Sequence, residues 1–135
     1  MTLIDDISNH LADMPGQTLP VYSFQFPDEP VACVALFPTG GGVGGDIGIG
    51  PTYYDAGSAI DYPGVQIQVR QTDPHTAFYL CEEIRKWLDM RPPTGYVKAI
   101  TGRSQPDDLT AEKDLAMSGG PCYRFSVEFS FTKVR

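Results

Sequence analysis

Apolar and polar positions divide the chain into short periodic stretches separated by proline and glycine. Leu3, Ile7, Leu11 and Met14 recur at intervals of four, four and three, which predicts a short amphipathic helix with Thr2 as its cap and Pro15-Gly16 as its stop. Val21 to Phe26 alternates loosely and predicts a strand. Pro27 and Pro30 then bracket an acidic turn, and Val31 to Phe37 follows as a continuous apolar run, the signature of a strand covered on both faces. In 65–70, Val65, Ile67 and Val69 alternate with Gln66, Gln68 and Arg70, which predicts a half-buried strand. Asp73-Pro74 supplies an N-cap and a proline at the first helical position, opening a helix with Ala77, Leu80, Cys81, Ile84 and Leu88 on its apolar stripe. On its polar side Glu82 and Lys86 stand four apart in the favourable order, and Arg91-Pro92-Pro93 ends it. Tyr96 to Ile100 predicts a further strand. The longest strand is the last, with Tyr123, Phe125, Val127, Phe129 and Phe131 alternating against polar residues.

Two stretches break this pattern. Residues 38–64 concentrate glycine and lack regular apolar spacing, which predicts a long loop or extended arm. Residues 105–121 predict a second, acidic loop with some helical character in DDLTAEKDLAM. The order of elements predicts an α+β domain spanning 1–135, a mixed, largely antiparallel sheet with two helices packed on one face.

Composition narrows the function. At 135 residues the chain has the size of one domain, and its apolar runs are too short to span a bilayer, so no membrane association is expected. No basic segment precedes an apolar stretch at the N-terminus, so the reading is of a protein kept in the cytoplasm. Seventeen acids against ten lysines and arginines give a net charge of −7, which repels a phosphate backbone and argues against sequence-specific DNA binding. Cys33, Cys81 and Cys122 sit in apolar or strand-like runs without metal-ligand spacing, and read as buried thiols.

Candidate chemistry is sparse. Gly40 to Gly45 matches GxGxxG and follows an apolar strand, but Asp46-Ile47-Gly48-Ile49-Gly50-Pro51 carries no helical stripe on which a pyrophosphate could rest. A nucleotide-binding enzyme using this loop is the alternative from another functional class. His10 and His75 have no neighbouring nucleophile motif, and the carboxylate pairs Asp5-Asp6, Glu82-Glu83 and Asp107-Asp108 diverge along their elements. The expectation is no catalytic residue, no cofactor and no metal. Interface residues are expected instead in the two loops: Gly42, Asp46, Tyr53 and Tyr54 in the first, Asp107 and Asp108 in the second. Tyrosine suits interfaces, and the pair at 53 and 54 has no core within its own segment.

With these residues in view, the chain resembles the minor capsid and tail-terminator family of tailed bacteriophages. The resemblance covers nearly the whole chain. It rests on the LIDDISNHLADM helix, the apolar strand with its Gly-rich loop, Tyr62 to Arg70 (YPGVQIQVR) running into the helix around Ala77 to Leu88, and a final strand opened by Arg124. YPGVQIQVR with its helix is the most specific part. The resemblance implies a structural protein of the virion neck, made in the host cytoplasm, that forms a homohexameric ring. Such a ring caps the tail tube, stops further addition of tube subunits and joins the tail to a head connector or completion protein. Genomic DNA would pass through it without specific binding. Another head-completion or tail-completion protein is the nearest alternative role.

Overall fold

The computed structural model describes residues 3–39, 60–61, 63–101, 105–117 and 120–134. Helix α1 (Leu3–Ala12) is followed by strands β1 (Val21–Ser23), β2 (Cys33–Thr39), β3 (Ile60–Asp61) and β4 (Gly64–Gln71). Helix α2 (Pro74–Met90) leads to β5 (Tyr96–Ile100), β6 (Asp107–Asp108), the one-turn helix α3 (Glu112–Leu115) and β7 (Tyr123–Val134). All strands join one mixed sheet, in which β4 pairs antiparallel with β2 and with β7, while β1 pairs parallel with β2 at one edge. The other side of β7 carries β6 near its start and β5 near its end, and β3 continues the β4 side. This is the α+β architecture expected from the order of elements.

Alternation places Val65, Ile67 and Val69 on one face of the sheet, beside Val34 and Leu36 of β2 and Val127, Phe129 and Phe131 of β7, all at most 1 % exposed. Both long helices pack on this face. Ile4, Ile7 and Leu11 of α1 and Cys81, Ile84 and Leu88 of α2 close the core over the sheet. The buried stripe of α1 runs through Ile4 and not the neighbouring Leu3, which is half-buried. Met14 is buried too, but in a turn after the helix. There Pro15 and Gly16 occupy the middle of a reverse turn closed by Gln17 N–H donating to Met14 O at 3.2 Å, and Gly16 takes the positive φ of +82° that a side chain would disfavour. Tyr96 Oη donates to Asp6 Oδ2 at 2.9 Å, tying α1 to β5, and burial with that carboxylate beside it pushes the phenol pKa up.

Helix α2 begins as its sequence dictates. Asp73 has extended backbone, its Oδ2 accepts from Thr76 N–H and from Thr76 Oγ1, both at 2.8 Å, and Pro74 stands at the start of the helix. The backbone hydrogen bond from Thr76 is the first cause holding the Asp73 carboxyl below its ordinary range, followed by the hydroxyl bond. A carboxyl lowered in the folded state stabilises above its unfolded pKa and loses that contribution as pH falls through the folded value. Asp73→Ala should therefore lower stability to urea at neutral pH, and the gap from the wild type should close as both proteins are taken below the carboxylate range. A gap independent of pH would show that the carboxylate is not the cap.

Several details depart from the sequence expectation. Strand β1 stops at Ser23 because Phe24 turns to a φ of +71°, which ends extended pairing. On α2, Glu82 pairs with Arg85 at 2.6 Å, one position nearer than Lys86, because the guanidinium fork reaches back across a single turn. Within 105–121, α3 carries the helical character expected of DDLTAEKDLAM, but Asp107 and Asp108 are not loop: they form β6, paired with Ser126 and Phe125 of β7. Strand β4 is buried on both faces: Gln68 and Arg70, expected to face solvent, are 8 % and 3 % exposed.

Candidate functional site

The second face of the sheet is covered by a polar cluster built around Arg70 and Arg124, register partners on β4 and β7. Beside Arg70 in the sheet lies Cys33 of β2. The chain between β1 and β2 folds over this row. Its carbonyls take the Arg70 guanidinium: Nε donates to Val31 O at 2.8 Å and one terminal nitrogen donates to Pro27 O and, at 3.2 Å, to Pro30 O. The alternating polarity of β4 gives no hint of this cover, because its acceptors lie about forty positions away in sequence.

Phe26 meets both cations, with the guanidinium carbon of Arg70 4.7 Å and that of Arg124 4.5 Å from its ring centroid. Such contacts are attractive through the ring quadrupole, and more so away from water. Phe37 of β2 extends the aromatic wall, its ring centroid 6.2 Å from that of Phe26.

Asp114 of α3 anchors the other side. Its Oδ1 accepts from Arg124 Nη2 at 2.7 Å, and its Oδ2 accepts from Ala111 N–H at 2.9 Å, which is the reaching-back half of a capping box. Asp114 is 1 % exposed. Its backbone carbonyl accepts from Cys122 N–H at 3.0 Å, so α3 is held on the sheet by one buried acid and its own main chain. Arg124 also reaches Gln68 Oε1 at 3.4 Å, while its Nε is buried with no hydrogen-bond acceptor.

These residues enclose an open cavity of about 460 Å³ whose walls include Phe26, Phe37 and Met117, with Arg70, Arg124 and Lys113 as its cations and Asp28 and Asp114 as its acids. A second depression, of about 530 Å³, lies where the end of α2 meets the turn after α1, beside Trp87. Near it the partly exposed His10 ring lies tilted against Trp87 with centroids 4.3 Å apart, and its Nε2 lies 2.6 Å from Arg91 O, so this histidine joins α1 to the end of α2.

The three cysteines are buried thiols, as expected. Burial pushes Cys33, Cys81 and Cys122 up, Cys81 to about 12; at Cys33 the neighbouring Arg70 charge and hydrogen bond offset part of the rise. Protonated thiols of this kind are poor nucleophiles at neutral pH. Among the described residues no group of three His, Cys, Asp or Glu is placed to hold a metal ion, and no helix is long and apolar enough to cross a membrane.

Of the residues expected at an interface, Asp107 and Asp108 form β6, where Asp108 is exposed and its Oδ1 accepts from Thr110 N–H at 2.9 Å. Gly42, Asp46, Tyr53 and Tyr54 lie outside the described residues, as does the whole Gly40 to Gly45 motif. The segment that contains them departs from Thr39 and returns toward Gly64, which are register partners at one end of the β2–β4 pair. Exposed apolar side chains missed by pattern reading are Phe24, Tyr79, Val97, Leu109 and Leu115, between 38 % and 64 % exposed. Phe24 combines exposure with strained backbone, and only its positive φ, invisible in the sequence, separates it from an ordinary strand residue. No known protein family matches the chain, and no curated protein matches it.

Proposed function

We propose that this protein is a structural component of a tailed-phage neck, a ring-forming tail terminator that caps the tail tube and meets the head connector. The observation that carries the reading is the position of the most distinctive segment of the resemblance, YPGVQIQVR with its helix: its strand β4 lies between β2 and β7 at the centre of the sheet and the capped helix α2 lies over the core. Ring assembly from one chain needs two different surface patches that meet head to tail. The exposed Leu109 next to Asp108 and Leu115 on α3, and the strained, exposed Phe24 after the edge strand β1, supply apolar groups at separate places on the surface. The acidic net charge suits a ring through which DNA slides without sticking.

Tube growth tests this. Added to tail-tube subunits during polymerisation, the protein should bind at one tube end and halt elongation, seen by electron microscopy as capped tubes with a shortened length distribution. Tubes that grow on unchanged, with no density added at either end, would remove the terminator role and favour another completion role in the neck.

A further inference from the structure

Arg70 is a buried cation, 3 % exposed, on the wall of the second-face cavity, and among the described residues no carboxylate forms an ion pair with it. Its partners are neutral: three backbone carbonyls, the Cys33 sulfur at 3.7 Å and the face of Phe26. Carbonyl dipoles and an aromatic quadrupole solvate a guanidinium without neutralising it, so its positive potential persists into the cavity. Lys113, exposed on α3, adds a second cation at the rim, also without an ion pair among the described residues. Asp114 is already engaged by Arg124 at 2.7 Å, which leaves Asp28 as the remaining acid of the wall and one cation in excess.

We infer that this cavity accepts a carboxylate side chain from a second copy of the chain, so that a basic pocket on one subunit holds an acidic group of its neighbour. Charge complementarity chooses the occupant. The pocket is cationic within a chain of net charge −7, and another copy offers exposed acids such as Asp13, Glu83, Asp89 and Glu112. A single carboxylate on a carbon stem also fits the walls better than a phosphate: Phe26, Phe37 and Met117 suit the stem, and Asp28, the remaining acid of the lining, repels a dianion more strongly than a single charge. The inference deepens the ring reading and rests on it.

The test uses Lys113→Glu and Lys113→Gln in the full chain, because Lys113 is exposed on a one-turn helix and its replacement leaves the core and the Arg124–Asp114 pair in place. Self-association is measured by sedimentation velocity over a concentration series, alone and with the tail-tube subunit. Lys113→Glu should weaken association at least about tenfold and Lys113→Gln less, and salt raised from roughly 50 to roughly 500 mM should weaken the wild type toward the variants. Variants that associate as the wild type does overturn the pocket's role and leave the ring reading standing. A wild type that stays monomeric under every condition removes both. Inorganic phosphate is the third arm: if it raises the melting temperature of the wild type but not of Lys113→Glu while association is the same in both, the pocket is a small-anion site and the second copy is overturned as its occupant.

Discussion

Phe129→Ala is expected to cost about 3–5 kcal/mol of unfolding free energy, enough to remove much of the stability of a domain this size. The ring is fully buried on β7 at the middle of the sheet, beside Val65 of β4 across the strand pair and stacked with Phe131 at a centroid distance of 5.8 Å. Above it lie α1 and α2, whose buried residues belong to the same core, so no side chain can swing in from solvent to fill the space. Phe125, four residues earlier on the same face, is only partly buried and meets Phe78 edge-on at 5.6 Å. Its replacement by alanine should cost clearly less. Urea denaturation of both variants measures the difference, and equal costs would mean that the two rings share one environment.

Asp114→Ala should cost about 3 kcal/mol, near the lower end for removing one member of a buried ion pair, because the Arg124 side chain keeps 15 % of its surface exposed. Three losses coincide. The Arg124 guanidinium, whose Nε is already without an acceptor, loses its carboxylate; the Ala111 N–H loses its acceptor; and α3 loses the side chain that holds it on the sheet. The double variant Asp114→Ala/Arg124→Met should recover part of the loss, since it removes the stranded charge together with its partner. Guanidinium chloride or urea unfolding of the two single variants and the double variant gives the coupling energy. A double variant as unstable as the sum of the singles would show that the pair is not coupled.

Elements set by local chemistry were legible in the sequence. Asp73 and Pro74 fix the start of α2 by themselves, the alternation through Phe131 marks β7, and Tyr96 to Ile100 is a strand over those same residues. The second face was not legible, and the reason is distance along the chain. Arg70 looks like the solvent-facing member of an alternating strand until the carbonyls of 27–31 are brought over it, and nothing within its own strand encodes that closure. Asp114 likewise is one acid among several in DDLTAEKDL, and only the register that sets Arg124 opposite Arg70 shows which of them must be buried. The turn at Phe24 is hidden for a different reason: a phenylalanine at positive φ contradicts local preference, so only tertiary structure can impose it. Among the expected interface residues, Asp107 and Asp108 form the short strand β6 beside β7, Asp107 half-buried and Asp108 exposed.

Ring formation is read from the mass of the protein in solution, by light scattering across a concentration series and again after mixing with the tail-tube subunit. A ring-forming terminator gives the mass of a hexamer, either alone or once the tube is present. A strict monomer that ignores the tube subunit at every concentration would contradict it.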